Sequence, residues 1–184
     1  MSYVIALTAL FGALCVLNIM LTVGVLRRLR EIEERTAYSG LELTPGPLDV
    51  MLAVGEQVGA FTTVTTEGEH LSDAFLADGP TVVGIFAHGC GKCDERLPEF
   101  VSFVRAHGIS RERALALMVG TPEQVEAKRA LAEPVSTVVI EELDGPVSLA
   151  LAARVYPALA VIGPDKVIRA TGSLIRHVSS LVDA

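Results

Sequence analysis

Two cysteines separated by two residues are the first candidates for chemistry in this chain of 184 residues. Cys90 and Cys93 lie in the stretch FAHGCGKCDERLPEF, between a β-branched run and a segment with the apolar pattern of a helix. A pair with this spacing can bind a metal ion, form a structural disulfide, or act as a dithiol that exchanges disulfide bonds. The elements around the pair bear on these three uses.

Metal binding is the use that the sequence favours least. A structural zinc ion takes four nitrogen or sulfur ligands, commonly from two clusters. The predicted soluble domain has only these two cysteines, and no second C-x-x-C or H-x-x-x-H pattern is present. A copper-delivery site would need three residues between its cysteines, and a peroxidase would need a T-x-x-C pattern. We therefore expect no metal ion, while a structural disulfide remains an alternative to a working dithiol.

The N-terminal segment is an apolar run without a charged side chain, from Met1 to Leu26. As a helix it would be roughly 39 Å long at about 1.5 Å per residue, and a bilayer core of about 30 Å needs about 20 apolar residues. A signal peptide would instead have a basic start and a small-residue cleavage site. No Lys or Arg precedes Arg27, so we predict a transmembrane anchor over residues 1–26 in which Cys15 is a small apolar residue.

Beyond the anchor, the sequence predicts a helical stalk and Pro/Gly linker over residues 27–53 and a folded domain over residues 54–184. The arginines that follow the anchor favour the cytoplasm for that end. Residues 1–35 carry four Arg and three Glu, so the net charge of −7 leaves −8 for the remaining residues. An acidic domain repels phosphate backbones, and we expect no nucleic-acid partner.

The apolar patterns of the domain alternate between the periods of strands and helices. Strands are predicted for FTTVTT, PTVVGIFA, ALALMVG and STVVIEE, with a turn in EGEHL and a hairpin in ALAVIGPDKVIRATG. Helices are predicted for CDERLPEFVSFVRAHG, TPEQVEAKRALAE, GPVSLALAARV and SLIRHVSSLV, with a helical turn over residues 72–77. This order predicts an α/β domain, with a mixed sheet covered by helices on both faces.

Several motifs in this order resemble the membrane-anchored thioredoxin-like proteins of the TlpA family. GIFAHGCGKC is similar to the strand that brings the family's dithiol to a helix N-terminus, and Pro98 follows Cys93 by five residues, as the family's helix proline does. Tyr156 and Pro157, followed by the hairpin, resemble the cis-proline element. The anchor and the stalk VLRRLREIEERTAYSG resemble most the MauD proteins of methylamine utilisation. The resemblance implies a thioredoxin-like domain preceded by one transmembrane helix.

The resemblance also implies a thiol-disulfide oxidoreductase whose redox group is the Cys90–Cys93 disulfide, with no further cofactor. A helix N-terminus can lower the pKa of a thiol from about 8.5 to about 3.5–7.5. We therefore expect Cys90 to attack a substrate disulfide and Cys93 to resolve the mixed disulfide. Gly91 and Lys92 separate the two sulfurs, and the lysine would add positive charge.

Tyr156 and Pro157 are expected beside the dithiol, where a proline without an N–H leaves a backbone edge for an extended substrate. His88 precedes Cys90 by two residues and could supply an imidazole that titrates near neutral pH. An exposed loop histidine is the simpler interpretation of His88, and the other histidines are predicted at the surface: His70, His107 and His177.

Two departures from the family keep a second function open. Gly89 stands where thioredoxins usually carry Trp, and Gly84 stands where a buried acid often assists the second cysteine. A non-catalytic thioredoxin-like adaptor at the membrane is therefore the alternative to the enzyme. For the enzyme, the family implies protein disulfide substrates and an integral membrane electron donor. It also implies a domain on the extracytoplasmic side of the cell membrane, although the arginines leave the cytoplasmic side open.

Overall fold

The structure, a computed structural model, describes residues 50–179 and, before them, the single positions Tyr3, Gly12 and Met20. Residues 50–179 belong to one compact unit and the three earlier positions to another. Among the residues so described, no helix combines the length and the apolar composition needed to cross a bilayer. Apart from these three positions, the predicted anchor (1–26) lies outside the described residues, as does nearly all of the predicted stalk and linker (27–53).

The domain contains seven strands, four α-helices and two short 3-10 helices within residues 50–179. The strands are β1 (Thr62–Val64), β2 (His70–Ser72), β3 (Thr81–Ala87), β4 (Ala114–Val119), β5 (Thr137–Glu141), β6 (Ala158–Ile162) and β7 (Ile168–Gly172). The helices are α1 (Gly91–Ala106), α2 (Pro122–Ala132), α3 (Pro146–Ala150) and α4 (Arg176–Ser179). The 3-10 helices are Asp73–Asp78 and Arg111–Arg113.

The central sheet is mixed and has the strand order β5-β4-β3-β6-β7. Strands β3, β4 and β5 are parallel, whereas β6 is antiparallel to β3 and β7 is antiparallel to β6. Strands β1 and β2 form a separate hairpin whose end contacts β5 through a bridge from Thr65 to Val139. The predicted mixed sheet and C-terminal hairpin are confirmed.

Helices cover both faces of this sheet, because consecutive residues of its central strands are apolar and point alternately to the two faces. Val82 and Phe86 of β3 point to the face that contains the buried side chains of α1, α2 and α4. Val83 and Ile85 point to the opposite face, which is covered by α3 and by the segments before β3. The central position of β3, buried on both sides, fixes the point where its last residues deliver the chain to α1.

The two long helices start at capping residues. The cap of α1 is Cys90, and its apolar stripe includes Leu97 and Phe100, both buried against the sheet. The cap of α2 is Thr121, whose hydroxyl accepts a hydrogen bond from the N–H of Gln124. The Gln124 side chain accepts from the Thr121 N–H in return, which completes a capping box.

Four segments differ from the pattern that the sequence predicts. Helix α3 ends at Ala150 rather than running to residue 155, because Ala152 adopts a left-handed conformation with φ of +47°. His70 lies in β2 rather than in a turn. Val50 and Met51, assigned to the linker by the sequence, are buried in the core. Helix α4 begins at residue 176 rather than 173, and the remainder of that prediction, from residue 180, lies outside the described residues.

Candidate functional site

The two cysteines lie where β3 passes into α1. Strand β3 ends at Ala87, and Gly89 turns the chain with φ of +69°, in the left-handed region that favours glycine. A side chain larger than that of glycine would adopt this conformation only with strain. Cys90 then caps α1, and its disulfide to Cys93 joins Cα atoms 5.2 Å apart within the first helical turn.

The two sulfurs differ in exposure and in hydrogen bonding. Cys93 is fully buried, whereas Cys90 is half-buried. The N–H of Cys93 donates to the Cys90 sulfur at 3.1 Å, and the N–H of Ala87 donates to the Cys93 sulfur at 3.4 Å. Backbone N–H groups and the helix dipole therefore favour negative charge on the more accessible sulfur.

The segment before β6 closes the site on the other side. The bond between Tyr156 and Pro157 is cis, and the Tyr156 carbonyl oxygen lies 3.6 Å from the Cys90 sulfur. Pro157 has no N–H, and the N–H of Tyr156 donates to no acceptor within residues 50–179. Burial raises the pKa of the Tyr156 phenol above its usual value. This backbone edge is open for pairing beside Cys90.

Other predicted site residues surround the dithiol less closely. Lys92 is 72% exposed, and its Nζ lies 3.8 Å from Glu95 Oε2, so its charge is partly compensated and screened by solvent. Gly91 begins α1 and has no neighbour within 4 Å of an added Cβ. Pro98 lies within α1 with its side chain exposed and lines a shallow groove next to Phe103.

His88 is exposed and turned toward α2. Its Nδ1 lies 3.1 Å from the carbonyl oxygen of Gln124. Since a carbonyl oxygen only accepts, the neutral imidazole carries its proton on Nδ1 and leaves Nε2 as the acceptor. Of the other histidines, His70 and His107 are exposed, and His177 is half-buried because it packs over Gly172.

Buried aromatic rings occupy the space around position 84, for which the sequence resemblance suggested a buried acid in other proteins. A Cβ at Gly84 would lie 2.7 Å from Phe86 Cε2 and 3.0 Å from Phe100 Cε2. The two rings pack edge to face with centroids 5.6 Å apart, and both are fully buried. No side chain at position 84 can therefore assist proton transfer from Cys93.

A cleft of about 340 Å³ opens next to the dithiol at the carboxyl ends of β3, β4 and β5. Ala87 and Tyr156, whose backbones contact the two sulfurs, form one wall. The remaining lining residues are His88, Val119, Gly120, Thr121, Gln124, Glu142 and Leu143. Of these, only His88 was predicted from the sequence as a site residue; Thr121 was predicted as a helix cap.

A buried carboxylate holds the loop that borders this cleft. Glu141 is 7% exposed and accepts hydrogen bonds from the N–H groups of Val147, at 3.0 and 3.1 Å, and Ser148, at 3.3 Å. Asp144, in the loop itself, has φ of +60°, which Asp tolerates better than most residues. The loop thus keeps a defined shape beside Tyr156.

Metal ligands do not gather at this site. Within the part of the chain that the structure describes, no three side chains of His, Cys, Asp or Glu come together as a group that could hold a metal ion. The chemistry that the arrangement offers is that of the two sulfurs.

Comparisons with solved structures agree with this arrangement of elements. The chain is similar to the thioredoxin domain of a thiol-disulfide oxidoreductase from Bacteroides vulgatus, with a TM-score of 0.60 and 16% identity over 72% of this chain and 96% of that one. A thiol:disulfide interchange protein from Chlorobium tepidum gives a TM-score of 0.55 and 18% identity over 71% and 96% of the two chains. StoA from Bacillus subtilis gives a TM-score of 0.51 and 20% identity over 68% of this chain and 95% of that one.

The chain has a thioredoxin-like fold. No protein-family model matches it, and no curated protein matches it in sequence. At 16–20% identity the solved structures establish the fold, and the predicted likeness to TlpA and MauD proteins stays a prediction. The predicted fold class is confirmed for the described domain.

Proposed function

We propose that this protein is a membrane-anchored thiol-disulfide oxidoreductase that exchanges its Cys90–Cys93 disulfide with protein substrates. One observation carries the proposal: a half-buried sulfur caps a helix, is bonded to a buried one, and faces the backbone edge before Pro157. A disulfide with a purely structural role would need neither an accessible sulfur nor an unpaired N–H at Tyr156.

In the proposed reaction the reduced protein acts first through Cys90. The Cys90 thiolate attacks one sulfur of a substrate disulfide and displaces the other as a thiolate, which forms a mixed disulfide. The Cys93 thiolate then attacks the Cys90 sulfur and displaces the substrate. The substrate gains two electrons and two protons, and the protein keeps the Cys90–Cys93 disulfide until a membrane electron donor reduces it again.

The location belongs to the proposal as well. The uncharged segment from Met1 to Leu26 motivates the anchor, and the resemblance to TlpA and MauD proteins motivates an extracytoplasmic domain that acts in maturation of another protein. Labelling of Cys90 in intact cells with a thiol reagent that does not cross membranes, after the disulfide has been reduced with a reductant that does not cross them either, tests the side. Labelling only after lysis would place the domain in the cytoplasm.

Insulin reduction by the full-length protein in detergent tests the activity. Turnover that is lost in Cys90→Ala supports the enzyme, whereas an inactive wild-type protein that still binds a partner supports the adaptor. Cys93→Ser should trap a mixed disulfide through Cys90. If Cys90→Ser traps substrates as well or better, the order of attack is the reverse.

A further inference from the structure

The cleft beside the dithiol has a chemical character that the redox reaction itself does not require. Its rim contains Leu143, which is 68% exposed, beside the half-buried ring of Tyr156. Single exposed leucines are ordinary on a folded surface, but Leu143 differs from the exposed Leu149 in that it lines a concave site. An apolar side chain that entered the cleft would cover both Leu143 and the ring of Tyr156.

Two carboxylates of the loop, Glu142 and Asp144, lie at or near the same cleft. Glu142 lines it, and the charge of Asp144 contributes to the raised pKa of Tyr156, which places Asp144 near that ring. Neither carboxylate forms an ion pair within residues 50–179. The cations closest in sequence to the dithiol are compensated, since Lys92 lies near Glu95 and Arg96 pairs with Glu99. The rim on the loop side is therefore negative.

We propose that this cleft selects protein substrates whose reacting cysteine lies near a bulky apolar residue and a basic residue. This proposal rests on the proposed function. A substrate segment that pairs with the N–H of Tyr156 holds its cysteine at Cys90. Side chains two residues from that cysteine then reach the cleft, because an extended chain advances about 3.3 Å per residue. The volume of about 340 Å³ suits one or two side chains.

Four peptide disulfides provide the test. Each is a symmetric dimer of one cysteine peptide, with Leu or Ser on one side of the cysteine and Lys or Glu on the other, two residues away. The pre-reduced full-length protein in detergent converts each dimer to two peptide thiols and ends with its own disulfide. The second-order rate constant is divided by that of dithiothreitol with the same peptide, because a nearby charge changes the leaving ability of the thiol.

The peptide with Leu and Lys should react fastest. Each surface carboxylate should favour Lys over Glu by about two- to fivefold. The double variant Glu142→Gln, Asp144→Asn should bring that ratio close to one, and so should 0.5 M salt, since salt screens exposed charges. Leu143→Ala should reduce the preference for Leu over Ser by about fivefold, because less apolar surface is covered.

Matched controls exclude general surface effects. Leu149 is 64% exposed but does not line the cleft, so Leu149→Ala should leave the normalised rates unchanged. Glu69 is an exposed carboxylate on the β1–β2 turn, without an ion pair in the described domain, and Glu69→Gln serves the same purpose. A loss in Leu149→Ala equal to that in Leu143→Ala would overturn the docking proposal.

Reduction of 5,5′-dithiobis(2-nitrobenzoate) separates the two proposals. If the wild-type protein reduces this small disulfide but reacts equally with all four peptides, the docking proposal is wrong and the oxidoreductase stands. If it reduces neither this disulfide nor any peptide, the proposed function fails and the docking proposal fails with it.

Discussion

The closed space at Gly84 gives a prediction whose size follows from distances. In Gly84→Ala the added Cβ would lie 2.7 Å from Phe86 Cε2 and 3.0 Å from Phe100 Cε2, whereas carbon atoms in contact are about 3.5–4.0 Å apart. The rings must therefore move by roughly 0.5–0.8 Å to restore contact. Both rings are fully buried, so such a shift disturbs the packing between β3 and α1.

Overpacking of this kind costs about 1–3 kcal/mol of unfolding free energy. Replacing a strand glycine with alanine returns about 0.5–1 kcal/mol. We expect a net loss of about 1–2 kcal/mol, or a fall in Tm of about 3–8 °C for a domain of this size. Thermal unfolding of the oxidised full-length protein, followed by circular dichroism, measures it. Gly84→Asp should be less stable again, because it also buries a carboxylate.

Gly91→Ala is the matched control. It makes the same chemical change at a helix start where nothing lies within 4 Å of the new Cβ, so Tm should stay constant or rise slightly. A Gly84→Ala protein as stable as the wild type would refute the argument that rings close this space. A stable Gly84→Asp protein with faster disulfide exchange would refute the conclusion that position 84 cannot assist Cys93.

Three further changes test other parts of the domain. Thr121→Ala removes the cap of α2 and should lower the unfolding free energy by about 1 kcal/mol, measured by thermal unfolding. The hydrogen bond and charge of Lys166 lower the pKa of Asp73, so the stabilisation is present above the ordinary carboxyl pKa and lost as pH falls through the lowered one. Asp73→Asn should therefore destabilise at pH 7 and progressively less as the pH falls through the lowered pKa of Asp73; an equal loss at every pH would contradict this sign. Glu141→Ala leaves the Val147 N–H without its acceptor and should cost about 1–3 kcal/mol, whereas Glu141→Gln, which keeps an acceptor, should cost less.

The parts of the fold that the sequence predicted are those set by local pattern. The β-branched run from Thr81 to Ala87 indicated a buried central strand, and it is the middle strand of the sheet. Thr121 before Pro122 indicated a helix start, and the capping box is present. These signals depend on residues close in sequence, and tertiary contacts only reinforce them.

The predicted elements that differ from the structure lie where a tertiary contact outweighs the local preference of the chain for a helix or a linker. Residues 145–155 have the composition of a helix, yet the chain turns at Ala152 so that the N–H groups of Arg154 and Val155 can donate to the Val50 carbonyl oxygen. That contact joins segments about a hundred residues apart, and nothing near Val155 in the sequence announces it. The same contact explains why Val50 lies in the core rather than in a linker.

In the candidate site, too, the features set by local sequence could be predicted and those set by tertiary contacts could not. The dithiol could be predicted from the spacing of Cys90 and Cys93, because the disulfide fits within one helical turn. The cis peptide bond lies at the proline that the sequence indicated. The cleft could not be predicted from the sequence. Leu143 lies at the cleft because the buried carboxylate of Glu141 holds the loop against α3. A glutamate at the end of a strand followed by a polar loop carries no sign of burial in the sequence.

The two sulfurs have different surroundings, and this difference favours Cys90 over Cys93 as the sulfur that attacks a substrate disulfide. Strand β3 is the central strand, so the residues that follow it bring Cys90 to the edge of the core, and one helical turn later Cys93 points back into it. A substrate disulfide can approach Cys90 along the Tyr156 edge but cannot reach Cys93 without moving buried side chains such as Phe86. Resolution is then the intramolecular step, since only the neighbouring sulfur at position 90 is close enough for Cys93 to attack. The difference in exposure therefore supports the two proposed roles, independently of how far the helix lowers the pKa of either thiol.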